Sequence, residues 1–152
     1  MISKSAIVKR IVAQLSEDSE RLAGASRKMH DDASDESNKA EDQYDTRALE
    51  TSYLASSQAR QATAIEEALA AYQALKLTKF TAKSPIDLTA LVELESRGER
   101  LWYFLGPKAG GIEVNEVMVV TPESPIGQEI AGKKVGDKFK FRGQEHRIVS
   151  VR

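Results

Sequence analysis

Cysteine is absent from the 152 residues, which excludes disulfides, thiolate nucleophiles and zinc sites built on sulfur. Net charge is nearly absent as well, since 22 basic side chains stand against 23 acidic ones for a formal −1. Such a chain has no strong positive field with which to hold bare DNA or RNA by counterion release. No apolar run approaches the roughly 20 residues of a membrane span. The first residues reach Lys4, Lys9 and Arg10 with no uninterrupted apolar core behind them, unlike a secretory signal. A soluble, cytoplasmic protein without a membrane partner is the expectation. What is present fits it: 41% hydrophobic residues to fill a core and 30% charged residues to keep it in water, over a length of one domain or two small ones.

Proline and glycine are missing from one half only. Residues 4–76 contain a single glycine, Gly24, and no proline, whereas residues 85–143 hold all four prolines and the other eight glycines. That asymmetry predicts two domains, a helical one over residues 1–77 and a second over residues 88–152, with residues 78–87 as linker. In the first, Val8, Leu15, Leu22 and Met29 recur every seven residues, with Ile11 and Ala25 between them, which is the pattern of a coiled-coil seam. From about Asp45 to Lys76, Leu54, Ile65, Leu69, Tyr72 and Leu75 fall at spacings compatible with one helical face. Two helices of about 30 residues predict an antiparallel hairpin with arms of roughly 45 Å.

The midpoint of such a hairpin lies near residue 40, which places its tip within residues 31–50. This stretch carries Asp31, Asp32, Asp35, Glu36, Glu41, Asp42, Asp45 and Glu50 against Lys39 and Arg47, a net of six negative charges. It has almost nothing apolar to bury, and its like charges repel one another. Magnesium takes hard oxygen ligands and usually keeps several waters, so one or two carboxylates presented at a tip can complete the shell of an ion held by another molecule. Asp42 and Asp45, three apart at the start of a helix, would share a face; Asp35 and Glu36 are the competing pair, with Glu41 between. The bland alternative is a solvated turn in which Asp45 and Glu50 favour a helix start through the macrodipole. His30 and His146 are too isolated to suggest a metal pair and are read as structural or surface residues, and no metal is expected to be held by this chain alone.

Beyond Leu77 the apolar residues shift to period two or short continuous runs. Strands are predicted over residues 90–94, 101–105, 111–121, 137–142 and 145–151, forming an antiparallel sheet whose last pair is a hairpin around Gly143. Ser124 to Ala131 reads as one short helix, with Ser124 as N-cap, Pro125 at the first helical position and Gly132 after its end. The fold class expected is therefore α+β: a helical coiled-coil hairpin followed by a small sheet domain with one short helix. Trp102, Tyr103 and Phe104 are read as core or core-edge aromatics, and Lys138, Lys140 and Arg142 as the exposed face of a strand.

An acidic-tipped helical hairpin, a short linker and a sheet domain containing TPESPIGQEIAGKKVGDKFKF together resemble the bacterial Gre transcript-cleavage factor family over nearly the whole chain. The most specific element runs from Ser124, Pro125, Ile126 and Gly127 to Gly132, Lys133, Lys134, Val135, Gly136 and Asp137, which looks like the S-P-L-G … L-L-G-K-x-V-G-D segment of that family. The resemblance implies an FKBP-like carboxy-terminal domain that docks on bacterial RNA polymerase beside its secondary channel, with Ser124, Pro125, Ile126 and Gly127 near the docking surface. It implies a transcription elongation factor, not itself an enzyme, that meets nucleic acid and magnesium only inside the transcription complex.

In the family, tip acids in a D-L-[KR]-E-N-[AS]-E-Y motif help hold the polymerase's second magnesium ion and its attacking water. This chain departs from that motif; residues 35–44 and 45–50 each match part of it in a different spacing. Architecture and docking therefore carry over more directly than cleavage stimulation. The alternatives are a channel-blocking factor without cleavage activity, an FKBP-type peptidyl-prolyl isomerase, and a module whose helices dimerise between chains in place of a monomer.

Overall fold

The computed structural model describes residues 3–36 and 44–152, with side chains at 26, 27 and 29–52 outside the description. The elements are α1 (Lys4–Glu36), α2 (Tyr44–Gln73), β1 (Leu91–Ser96), β2 (Glu99–Leu105), β3 (Glu113–Val114), β4 (Val117–Val120), α3 (Pro125–Ile130), β5 (Lys138–Phe141) and β6 (Gln144–Val151). The α+β class expected from the sequence is what the chain forms. Residues group into two compact units, one of Met1–Val12 with Ala71–Arg152 and the other of Ala13–Ala70.

In the first unit six strands form one sheet in the order β3-β4-β2-β1-β6-β5. Because strand side chains alternate, Val92 and Leu94 fall on one face and Leu91 and Glu93 on the other. The first face carries the main core of Ile86, Val92, Leu94, Leu105, Val120, Phe139, Ile148 and Val151, with Ile126 and Ile130 of α3 over it. On the second face Leu91 pairs with Phe104, and Phe104 with Val119. All three are buried, as are Val117, Ile7, Ile11 and Tyr72. Tyr72 at the end of α2 reaches this side of the sheet, with its hydroxyl against Gly106. Farther along that face the chain turns polar: Glu93 takes Arg100 at 3.0 Å and the Ser150 hydroxyl at 3.1 Å.

Three observations differ from the expectations. The third strand is two: Asn115 and Glu116, at φ +48° and +64°, fold residues 113–120 into a tight hairpin. That hairpin lays β4 between β2 and β3, so β2 and β4 run parallel and the sheet is mixed, not wholly antiparallel. The helical seam is also shifted. Ile7, Ile11 and Leu15 form the buried stripe of α1 while Val8 is half-buried, and on α2 Ala68 and Tyr72 are buried, Leu69 is half-buried and Leu54 is 54% exposed. Alanine can approach a neighbouring helix closely where leucine holds it off.

Asp18, Arg21, Leu22 and Ala25 of α1 face Gln61, Ala64 and Ile65 of α2 across a groove of about 510 Å³. Arg21 and Asp18, one turn apart, pair at 3.1 Å on its edge, a contact worth little in water.

Candidate functional site

The acidic candidates fall where one helix ends and the next begins. Asp35 and Glu36 are the last two residues of α1, and Asp45 is the second residue of α2. Glu41 and Asp42 lie outside the described residues, as do the side chains of all five. Among the described residues, no group of three or more potential ligands is positioned to hold a metal ion.

The Ser124 corner is defined atom by atom. Strand β4 ends at Val120, and the Ser124 backbone N–H returns to the Thr121 carbonyl at 3.0 Å. Its hydroxyl donates to the same carbonyl at 2.7 Å and accepts from the Gly127 N–H at 3.1 Å. The latter is the N-cap bond expected from the sequence, with Pro125 entering at the first turn of α3, where its missing N–H costs nothing. Ile126 is 8% exposed and belongs to the core. A Cβ at Gly127 would run into the Thr121 carbonyl, so the helix can pack this tightly only with glycine there.

Ser124, Ile126 and Gly127 are thereby committed to building the corner. Its outward parts are Glu123, Pro125 and Gln128, which are exposed. The Gln128 amide, donating to the Glu123 carbonyl at 3.1 Å, fixes that edge. Sequence reasoning missed Glu123 and Gln128; proximity to a recognised cap was the available signal.

The segment after α3 is held equally closely. The Gly132 N–H donates to the Ile86 carbonyl and the Ile86 N–H to the Lys133 carbonyl, both at 2.8 Å. The Asp137 carboxylate accepts from the Lys134 N–H at 2.8 Å. The run from Gly132 to Asp137 is thus a turn tied to the linker and to its own aspartate.

Lys4 was not anticipated at all. Its ammonium donates to the carbonyls of Thr78, Thr89 and Arg152 and lies 4.9 Å from the centroid of Phe80. It ties the first turn of α1 to the linker, the sheet and the chain end, and burial lowers its pKa from the ordinary lysine value.

The aromatic run is spent on the fold. Phe104 is fully buried, Tyr103 packs on the main core, and the Arg152 guanidinium lies 5.5 Å from the Trp102 ring centroid.

The chain thus combines two long helices with a small mixed-sheet domain whose α3 corner is tightly capped. No family model and no curated protein matches the chain. Among solved structures it is similar to the GreA factor homolog 1 (Gfh1) protein of Thermus thermophilus, at 24% identity over 95% of this chain and 94% of that one, with a TM-score of 0.42. It is also similar to Thermus aquaticus Gfh1, at 26% identity over 94% and 92%, TM-score 0.40. A third likeness is to a prokaryotic transcription elongation factor GreA/GreB from Nitrosomonas europaea, at 16% identity over 57% of this chain and 78% of that one, TM-score 0.39.

Proposed function

We propose that this protein is a Gre-type factor that acts on bacterial RNA polymerase through its secondary channel, the α3 corner docking and the acids between α1 and α2 acting on the magnesium-dependent active centre. The observation that carries the reading is the concentration of six net negative charges in residues 31–50, the stretch that joins the two long helices. Carboxylates delivered there would share a magnesium ion belonging to the polymerase. In a two-metal reaction such an ion activates water and balances charge on the displaced oxygen, so stabilising it turns on hydrolysis by the host. The chain supplies positioned oxygens and is not itself the catalyst.

A stalled polymerase on a backtracked transcript tests this directly. The RNA shortens when the protein is added, and the shortening disappears with Asp42→Ala plus Asp45→Ala or with Asp35→Ala plus Glu36→Ala. Failure to bind the polymerase at all would sink the reading. A second reading, a channel plug, is favoured by the departure of residues 35–50 from the Gre tip motif; it predicts inhibition of elongation with no shortening of the RNA.

A further inference from the structure

Strand β5 closes one edge of the sheet and is bonded to β6 alone. Its register decides which backbone groups that edge shows. The Ile148 N–H donates to the Asp137 carbonyl at 2.9 Å, so at alternate positions of the antiparallel ladder Phe139 and Phe141 bond to β6, and the N–H and C=O groups of Lys138 and Lys140 point the other way. Among the described residues nothing meets them there. The opposite edge, β3, is only two residues long.

Cations line this edge on both faces. Lys138 and Lys140 are exposed on the face away from Phe139, whose ring belongs to the main core. On the other face the Lys133 ammonium lies 5.8 Å from the Phe139 ring centroid and the Arg142 guanidinium 5.1 Å from that of Phe141. Residues 133–147 hold six basic side chains against Asp137 and Glu145, in a chain whose formal charge is −1. The Asp137 carboxylate is spent on the Lys134 N–H. Glu145 meets Lys138 at 3.7 Å with both side chains exposed, a pair worth little in water. Lysine on an edge strand also guards against self-pairing. That guard needs no cation on the core-bearing face, however, and Arg142 holds its place at a cost, with φ +52° in a two-residue turn that favours asparagine or glycine.

We infer that β5 receives an extended, acidic segment of a partner protein as a seventh strand of the sheet. The segment's backbone takes the outward N–H and C=O groups of Lys138 and Lys140, and these main-chain bonds supply the affinity. Its side chains alternate between the two faces, so one set falls toward Lys138 and Lys140 and the other toward Lys133 and Arg142. Opposite charges across adjacent strands attract, which selects acids at those positions. A second copy cannot serve through its own β5, because lysine would stand against lysine. The acids of residues 31–36 and 45–50 lie in α1 and α2 and offer no strand. Nothing here requires the α3 corner to dock on the polymerase.

The test is an amide NMR titration of the isotope-labelled full chain with a capped hexapeptide of alternating glutamate and valine. Its glutamine analogue, the same peptide methylated at every backbone nitrogen, and a short oligothymidylate are run in parallel. The acidic peptide should give saturable shifts centred on residues 138–141 and slow hydrogen exchange at the Lys138 and Lys140 amides. Affinity should fall about tenfold or more in the double variant Lys138→Glu with Lys140→Glu. Arg142→Asn should weaken binding while melting no lower than the parent, since asparagine suits that turn. Full binding by the methylated peptide would reduce the contact to charge alone, and tighter binding of the oligothymidylate would make the edge a nucleic-acid surface; either overturns the assignment. So would the absence of saturable shifts, an equal response to the glutamine peptide, or undiminished affinity in the double variant. Shifts at residues 138–141 that grow with protein concentration in the absence of peptide would name a second copy as the occupant and overturn it as well.

Discussion

Tyr72 and Gly106 compete for one space: the tyrosine hydroxyl sits where a Cβ on residue 106 would stand, and from there it donates to the Lys108 carbonyl at 2.7 Å. This contact links the root of α2 to the segment just after β2. Gly106→Ala must displace a buried ring or bend the backbone, at a cost of about 2 kcal/mol from overpacking with further loss if the Lys108 bond breaks. Urea unfolding followed by near-UV dichroism should show the lower midpoint. Unchanged stability would mean that Tyr72 is not seated there.

Alkaline pH should weaken the same contact. Burial raises the pKa of Tyr72, and of Tyr103, above the free tyrosine value of 10.0. The folded state therefore keeps protons that the unfolded chain releases. This stability is fully present below 10.0 and falls as pH climbs beyond it. Lys4, with its pKa lowered from 10.5, works the other way, because the folded state releases that proton first and gains stability as pH rises toward 10.5. Two tyrosines, one of them strongly shifted, outweigh one lysine, so the melting temperature should drop as pH rises above about 10. Tyr72→Phe should flatten most of that drop, and a variant as alkali-sensitive as the parent would refute the assignment.

The α3 corner gives two substitutions of different cost. Ser124→Ala removes an N-cap and should destabilise by about 1 kcal/mol. Gly127→Ala drives a methyl into the Thr121 carbonyl and should cost more than the loss of the cap. Thermal melts rank the two. If the corner docks on the polymerase, Glu123→Lys or Gln128→Ala on its outer edge should reduce binding at parent stability. Equal binding by both outer variants would move the docking surface elsewhere.

The corner was legible because capping is local: serine, proline and a close-packed glycine lie within four residues. That two long helices precede the strands was legible as well, since helix interiors exclude proline and residues 4–76 have none. What the sequence hid is long-range. Asn115–Glu116 lacks the glycine that marks a tight hairpin, so β3 and β4 read as one strand, and the parallel pairing that follows from their fold went unseen. Lys4 meets carbonyls far along the chain, and no local pattern marks such a lysine. His146 was read as structural or surface, and its ring stacking on Phe139 and Phe141 supports the first.

The crowding of acids in residues 31–50 sets stability against function. Six net negative charges in this stretch repel one another, so replacing Asp35 and Glu36 with their amides should relieve part of that repulsion, by about 0.2 to 0.5 kcal/mol per charge at low salt and less as salt is added. Function should run the other way, because crowded carboxylates gain most from meeting a cation. The amide pair at 35 and 36 should therefore melt higher, bind polymerase as the parent does, and lose transcript cleavage. Dichroism melts and a gel of the shortened RNA read the two effects separately. A double variant that melts lower and still cleaves would place the working carboxylates among Glu41, Asp42 and Asp45.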